Sequence, residues 1–392
     1  MSGRLAADRL RELIVRDLPA LSALGVAAAA DAWLASAGGD AQGAAALAAD
    51  LLGAGPLEPL LADQRITEIM VNGPTQVHVE VDGRLRPCDA RFDSADHLRA
   101  VIERLLAGTG RRLDESTPTV DAVLADGTRL NAVLPPVALH GPLLTLRRPR
   151  RTALRLADLV GSGAVPPQLA AFLHAAVVGR CNLLVSGGTG AGKTTLLAAL
   201  CALVPADQRI VTVEDVAELR VEHPHVVAQQ CRDPLAPGVA PVDMRALLRN
   251  TLRMRPDRIV VGEVRGTEAA DMVMAMNTGH PGSMSTVHAN GAGDALTRLE
   301  AMLGLGWPSA TGATVQHWLR AAVDVVVHCQ RDASGRRSVA QVAAMDDDNM
   351  ATLYDAERSD TLLQSPPRRC LDRMARHGVD FTVERLLRVD VA

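Results

Sequence analysis

The spacing of apolar residues changes along the chain, and each change marks the boundary of a predicted region. Residues 1–52 are rich in Ala and Leu with interspersed charges, a pattern typical of a helical N-terminal lead-in. From residue 53 onward, apolar and polar residues alternate in short runs, as at Val77, Val79 and Val81, and this period of two predicts strands. The sequence therefore predicts a helical segment followed by a strand-containing domain.

Residues 53–146 combine strand and helix signals. The pairs Asp82-Gly83 and Asp126-Gly127 are typical of tight turns between antiparallel strands. Apolar residues recur at helical spacing within residues 94–107, which predicts a helix with one buried face. Together these patterns predict a small α/β domain built on an antiparallel sheet.

Regular alternation of strands and helices begins after a basic segment. Four arginines flank Pro149 in residues 147–152, which we interpret as a linker that acts as a hinge or as a clamp for a triphosphate. A nucleic-acid patch ranks lower because no aromatic residues are interleaved for base stacking. Residues 153–345 are expected to form a largely parallel sheet flanked by helices, and residues 346–392 a C-terminal appendage. The predicted strands are 181–186, 209–214, 225–229, 258–262, 283–288 and 323–328, and the predicted helices are 194–204, 243–253, 267–277, 293–303, 367–376 and 381–388.

Composition narrows the class of protein only moderately. The 392 residues are 48% hydrophobic and carry a formal charge of -4, which gives no overall attraction to nucleic acid or to an anionic membrane. The 6 cysteines are scattered without a C-x-x-C pair, which argues against a zinc site and favours a reducing compartment. Neither a signal-peptide pattern nor an apolar run of roughly 18 residues is present. We therefore expect a cytoplasmic protein that reaches the inner face of the membrane only through partners.

The central motif is a glycine-rich segment between a predicted strand and a predicted helix. Its spacing satisfies G-x-x-x-x-G-K-[ST], the phosphate-binding loop. Glycines let backbone N–H groups curl around phosphate oxygens, and the following helix adds partial positive charge at its N-terminus. The predicted nucleotide-binding residues of this loop are Gly187, Gly188, Thr189, Gly190, Ala191, Gly192, Lys193, Thr194 and Thr195.

The lysine of this loop stands out in the composition. Lys193 is the only lysine among 41 basic residues, so every other one is arginine. A compact ammonium on a thin stem and a planar guanidinium are not interchangeable in a tight phosphate cradle. We therefore expect Lys193 to bind the β- and γ-phosphates of a nucleoside triphosphate, and the Thr194 hydroxyl to ligate Mg²⁺.

Carboxylates follow two apolar strands downstream of the loop. Glu263 ends one strand, and Glu214 and Asp215 end another, with Glu218 just beyond. Because the carboxyl ends of parallel strands meet at one edge of a sheet, these acids are expected near the phosphate loop. Their chemistry suits metal-assisted hydrolysis, with Glu214 and Glu263 as further Mg²⁺ ligands.

Two histidines eight residues apart, His280 and His288, allow two interpretations. No cysteine or third histidine joins them at metal-ligand spacing, so structural histidines are the default. The alternative is that these histidines have a functional role, either as a sensor of the γ-phosphate or as a contact between subunits.

Taken together, these motifs resemble the secretion ATPase superfamily of type II and type IV secretion and pilus assembly. The most similar branch is the CpaF-like one, which drives Flp/Tad pilus assembly. The resemblance covers roughly residues 53–345, and the order of the motifs is specific to that superfamily. The segments that carry it are 55–61, 66–73, 110–115, 186–195, 213–215, 253–266 and 278–290.

The resemblance implies a RecA-like P-loop NTPase domain preceded by a smaller, PAS-like α/β domain, in a hexameric ring with nucleotide between the two domains. It places Glu263 in an atypical Walker B motif, Glu214 with Asp215 in an Asp box, and both histidines in a His box. It also implies that arginines of the first domain reach the phosphates, and by motif these are Arg129, Arg147 and Arg112. Pro281 departs from the acidic residue that is usual after the first histidine. The candidate catalytic residues are thus Lys193, Glu214, Glu263 and His288.

Our sequence-based interpretation is a Mg²⁺-dependent ATPase motor for pilus assembly or protein secretion, with inner-membrane platform proteins as partners. A DNA-transfer or RecA-like nucleic-acid motor is one alternative, although the negative net charge and the scarcity of aromatics count against it. A nucleotide-binding oligomeric scaffold with negligible turnover is the other alternative, and the intact acidic positions argue against that.

Overall fold

The computed structural model describes residues 53–81, 83–148, 153–232, 240–346, 349–359, 361–362 and 364–381. The predicted lead-in, most of the linker, and all but Phe381 of the predicted helix at 381–388 lie outside these residues. The chain divides into two compact units, residues 1–150 and 151–392.

The first unit is built on a six-stranded antiparallel sheet with the order β3-β2-β1-β6-β5-β4. The strands on either side of each predicted Asp-Gly turn pair antiparallel with each other. Ser94 caps the predicted helix by accepting the backbone N–H of His97 at 3.1 Å, and the apolar face of that helix is buried. The elements are α1 (Glu58–Ala62), β1 (Ile66–Asn72), β2 (Val77–Val81), β3 (Arg84–Cys88), α2 (Ala95–Leu106), β4 (Thr119–Val123), β5 (Arg129–Val133) and β6 (Leu143–Arg147).

The second unit contains an eight-stranded sheet with the order β14-β13-β12-β7-β11-β10-β8-β9. The pairs from β12 through β9 are parallel, as predicted, whereas β12, β13 and β14 pair antiparallel. All six predicted strands are present, with ends shifted by at most a few residues. The strands are β7 (Leu183–Gly187), β8 (Ile210–Glu214), β9 (Val226–Gln230), β10 (Arg258–Val264), β11 (Met284–His288), β12 (Val325–Arg331), β13 (Arg337–Asp346) and β14 (Asn349–Asp355).

Helices cover both faces of this sheet. Successive residues of β7 point to opposite faces, so Leu183 and Val185 belong to one apolar core and Leu184 to the other. No described helix is long and apolar enough to cross a lipid bilayer. The helices are α3 (Leu156–Gly161), α4 (Pro167–Val178), α5 (Lys193–Cys201), α6 (Met244–Thr251), α7 (Glu268–Asn277), α8 (Ala292–Gly306), α9 (Gly312–Ala322) and α10 (Arg368–Arg376).

The predicted boundary at residue 346 was wrong. It falls between β13 and β14, which pair from Gln341↔Asp355 to Asp346↔Asn349, so the sheet continues across it. The acidic run beginning at Asp346 marks the connection between two strands and not the start of a separate appendage. The predicted helix at 367–376 is present as α10, and its Cys370 and Met374 are fully buried in the core of the second unit.

A buried aspartate joins α10 to the centre of the sheet. Asp324 precedes β12, is 0% exposed, and accepts the backbone N–H of Asn182 at 2.7 Å. Its two carboxylate oxygens lie 3.0 Å from Arg369 and 2.6 Å from Arg373, both on α10. The Asp324 carboxylate, at the start of β12, therefore links α10 to the residue that precedes β7.

Asp324→Ala is expected to lower the free energy of unfolding by about 3–5 kcal/mol, because removing one partner of a buried ion pair leaves the other charges uncompensated. Urea unfolding of the full chain followed by circular dichroism measures the change. Asp372→Ala is the matched control, since its side chain is 59% exposed and pairs with Arg368 at 3.6 Å on the same helix. That control is expected to cost at most about 1 kcal/mol. Equal losses in the two variants would contradict the role assigned to Asp324.

Candidate functional site

The phosphate loop follows β7 directly and leads into α5, as predicted. Gly187 has a φ of 154°, and a Cβ there would lie 2.4 Å from the carbonyl oxygen of Cys329 on the neighbouring strand. Gly192 has a φ of 97°, a left-handed conformation that glycine adopts without strain, and α5 begins at the next residue. These glycines are required by the shape of the loop and by its close contact with β12.

Lys193 lies under the loop with its side chain 8% exposed. Its Nζ donates to the carbonyl oxygens of Gly187 and Gly188, both at 3.1 Å, and lies 3.7 Å from Oε2 of Glu263. Burial lowers the pKa of the ammonium group, while the charge of Glu263 acts in the opposite direction. The structure therefore brings together the predicted lysine and one predicted carboxylate.

Glu263 lies between two cations at the carboxyl end of β10. Besides Lys193, it contacts Arg265, whose Nε donates to Glu263 Oε1 at 2.8 Å. Arg265 also lies 3.9 Å from Asp215, so the exposed Asp215 joins the same charge network. The hydrogen bond to Glu263 raises the pKa of Arg265. This bond fixes the orientation of the Glu263 carboxylate, with one oxygen towards Arg265 and the other towards Lys193.

Glu214 ends the adjacent strand and is only 4% exposed. Its Oε1 accepts the backbone N–H groups of Glu218 and Leu219, both at 2.9 Å. A Cβ at Gly262 would lie 2.8 Å from Cγ of Glu214, so any larger residue at that position of β10 would displace the Glu214 side chain. Burial raises the pKa of the Glu214 carboxyl despite these two amide donors. Gly262, between the apolar strand and Glu263, thus makes room for a second carboxylate.

The candidate metal ligands do not form a cluster by themselves. In the described parts of the chain, no three His, Cys, Asp or Glu side chains gather as a metal-binding group. Thr194 and Thr195 are half-buried in the first turn of α5. Mg²⁺ is commonly held by one or two protein groups together with phosphate oxygens and water, and the residues here fit that arrangement.

The two histidines lie at opposite ends of β11. His288 is the last residue of the strand and is the register partner of Gly187, at the edge of the phosphate loop. His280 precedes the strand, and its carbonyl oxygen accepts the Ser283 hydroxyl at 2.8 Å. A five-residue strand at about 3.3 Å per residue separates them. His288 therefore lies at the edge of the phosphate loop and His280 at the other edge of the sheet. Whether either histidine senses the γ-phosphate or contacts another subunit stays a prediction.

The predicted arginines of the first unit belong to a separate set of contacts. Arg129 and Arg147 are register partners on β5 and β6, and Arg147 Nε lies 3.3 Å from Glu68 Oε1. Arg112 forms an ion pair with Asp114. That these three arginines bind phosphate stays a prediction.

Sequence reasoning missed the groups that β12 and β13 bring to the loop. His328 Nδ1 lies 3.0 Å from Ser186 Oγ, and burial lowers the pKa of this imidazole. Arg337 Nε donates to the carbonyl oxygen of Gly190 at 2.8 Å. These residues follow Lys193 by more than a hundred positions, and the one available signal was the arginine-rich stretch from Arg331 to Arg337.

The family described as "Type II/IV secretion system protein" matches residues 50–390. The chain belongs to this family. A putative conjugal transfer protein of Mycobacterium tuberculosis is 46% identical over 305 residues, which cover 76% of this chain and 86% of that protein. The type IV secretion system protein VirB11 of Bartonella henselae is 30% identical over 316 residues, which cover 70% and 87% of the two chains.

A solved structure of similar fold extends the comparison. The crystal structure of the pilus retraction motor PilT with bound ADP has a TM-score of 0.56 and 20% identity, and the match covers 82% of this chain and 87% of that one. At this identity the likeness shows the fold alone. The family match confirms membership of the type II/IV secretion family, and the structural likeness confirms the RecA-like fold. The finer assignment to the CpaF-like branch stays a prediction.

The buried Glu214 predicts a pH-dependent effect of its neutral isostere. Because burial raises its pKa in the folded state, the folded protein binds this proton more tightly than the unfolded chain. Stability from this group is therefore present below the unfolded value of about 4.3 and falls as the pH rises through the raised folded value. Glu214→Gln keeps an oxygen for the two amides and carries no charge, so it is expected to be more stable than wild type at pH 7, with the difference shrinking towards pH 4.

Urea midpoints measured at several pH values test this expectation. Asp215→Asn is the control, since that neighbouring side chain is 65% exposed and its loss of charge is expected to leave the midpoint nearly unchanged. A Glu214→Gln variant that is less stable than wild type at pH 7 would show that the two amide bonds to the charged carboxylate outweigh its burial.

Proposed function

We propose that this chain is a Mg²⁺-dependent ATPase motor that powers pilus assembly or protein secretion across the cytoplasmic membrane, in the manner of the Flp/Tad machines. The observation that carries the proposal is the placement of Glu263, 3.7 Å from the only lysine of the chain at the mouth of a phosphate loop. A carboxylate at this position can orient and deprotonate a water molecule that attacks the terminal phosphate. Family membership supports this placement of the chemistry.

Each residue of the site has a distinct task in the proposed hydrolysis. The backbone of residues 187–193 and the N-terminus of α5 bind phosphate, and Lys193 neutralises charge on the β- and γ-phosphates. Thr194, with Glu214 or Glu263, would hold Mg²⁺, which supplies further charge neutralisation when bound. Glu263 acts on the attacking water, while Arg265 holds its carboxylate in place. His288 lies at the same edge, where it can respond to the terminal phosphate.

Mechanical work requires that the terminal phosphate be bound differently before and after hydrolysis. We propose that it attracts Arg129, Arg147 and Arg112 of the first unit towards Lys193, and that its loss releases them. In a hexameric ring this change would move one domain against the other and act on an inner-membrane platform protein. The protein would thus work at the cytoplasmic face of the membrane through its partners.

Two substitutions separate nucleotide binding from hydrolysis. Lys193→Ala is expected to abolish binding of ATP, because no other group of the loop supplies that charge. Glu263→Gln is expected to keep binding and to lower the turnover rate by about 10²-fold or more, since it removes the general base. Fluorescent nucleotide titration and phosphate release measure the two effects. Glu300→Gln is the control, because that carboxylate lies on α8 and accepts a hydrogen bond from Gln316 at 2.9 Å.

Near-wild-type turnover in Glu263→Gln would mean that another group activates the water, and the assignment of the base would be wrong. Light scattering with Mg²⁺ and a non-hydrolysable ATP analogue tests the ring. A hexamer that hydrolyses ATP supports the motor, an oligomer that binds nucleotide without turnover supports the scaffold, and a monomer without turnover at high concentration contradicts the motor.

A DNA-transfer motor is the second candidate, since the relative of 46% identity is named as a putative conjugal transfer protein. Stimulation of ATP hydrolysis by DNA, lost steeply as salt is raised, would favour it, because phosphate contacts release counterions.

A further inference from the structure

A second pair of cations lies against the phosphate loop, and it comes from the hairpin between β12 and β13. Besides its bond to Gly190, Arg337 places Cδ 3.5 Å from where a Cβ on Gly192 would lie. Arg331 places Nη1 3.5 Å from the corresponding position on Gly190. Both side chains therefore lie against the middle of the loop, away from Glu263 on β10.

The backbone fixes this placement. Arg331 and Arg337 are register partners in the antiparallel ladder, so their side chains project from the same face. The turn that joins them is closed by Asp332, whose N–H donates to the carbonyl of Arg336 at 2.9 Å, and by Gly335 with a φ of 88°. On its other side β12 pairs with β7, with Cys329 opposite Gly187. The hairpin is thus held beside the loop by main-chain hydrogen bonds.

Two like charges directly opposite each other on a ladder repel one another. Beside a loop whose amides bind phosphate, the same two charges gain from each bound anion. We propose that Arg331 and Arg337 are nucleotide-binding residues that contact the diphosphate shared by ATP and ADP, and that Arg337 also positions the loop. This inference rests on the proposed function. Their contact with Gly190 and Gly192 favours the inner phosphates, because the loop backbone cradles these.

A lysine could take over the role of one of these two arginines but not of the other. Arg337 acts through Nε, which is held by Gly190, and a lysine has no donor at that point of the chain and no planar fork. Arg331 acts through its charge, which a lysine would retain. Arg331→Lys is therefore expected to restore much of the affinity, and Arg337→Lys little of it.

Titration of the full chain with mant-ADP and mant-ATP tests the proposal. Arg331→Ala and Arg337→Ala are each expected to weaken both nucleotides by about tenfold, the effect of one charge-assisted hydrogen bond. Phosphate release at saturating ATP is measured on the same variants, so that a loss of binding can be told apart from a loss of hydrolysis. Arg336→Ala is the matched control: it removes a guanidinium from the same turn, but one that donates to the carbonyl of Gly163 at 3.0 Å.

The outcomes separate this inference from the proposed function. If wild type binds both nucleotides and the two alanine variants bind them as Arg336→Ala does, the assignment of the arginine pair is wrong and the motor proposal stands. If the variants bind normally but turn over slowly, the pair acts in hydrolysis, and the proposal of diphosphate binding is also overturned. If wild type binds neither nucleotide, both proposals fail. Equal loss in the lysine and alanine variants of Arg331 would contradict the charge-based role given to that residue.

Discussion

The buried amide of Asn182 sets the alignment of the three strands on which the phosphate loop depends. Its Oδ1 accepts the N–H groups of Gly282 and Ser283 at 2.7 and 3.1 Å, just before β11. Its Nδ2 donates to the carbonyl of Ala322 at 2.6 Å, and its main chain bonds Asp324 and Val325 at the start of β12. Three strands that start in a fixed alignment also end in one, so Gly187, His288 and Cys329 lie side by side at the opposite edge.

The alignment of these strands brings several charged side chains close together at the carboxyl edge of the sheet. At the amino edge, Asn182 bonds the chain before β11 and β12, and Asp324 pairs with two arginines of α10. The carboxyl edge instead gathers Lys193, Glu263 and Arg265 in a chain of contacts of 2.8 to 3.7 Å. Such a chain is stable only if each member is held by the backbone behind it, as Glu263 is by β10 and Lys193 by the first turn of α5. Preorganised charge of this kind is what a site acting on phosphate requires.

Much of the site could be predicted from sequence because its parts are local. The loop, Lys193 and the carboxylates after two strands each follow from a short stretch, and the rule that parallel strands gather their carboxyl ends brought them together correctly. The predicted strand at 283–288 already places His288 at its end and His280 ahead of it, but the rule could not show what either histidine contacts. Nor could it show that residues after 346 extend the sheet, because an acidic run resembles a solvated linker as closely as it resembles a hairpin turn. The arginines of β12 and β13 were missed because only the strand order puts them beside β7.

Gly262 shows how packing and chemistry are joined at one position. A glycine inside a strand weakens it, since it contributes no side chain to the core and costs backbone entropy. Here the missing Cβ leaves space for Glu214, whose carboxyl is buried with a raised pKa and is held by two amides. Gly262 lowers the stability of β10, and the buried carboxyl of Glu214 lowers the stability at the end of β8. These two losses of stability are adjacent at the same edge of the sheet. A core optimised for stability alone would fill the position of Gly262 with an apolar side chain. Two losses of stability beside a phosphate loop are therefore expected of a site whose geometry is set by its chemistry.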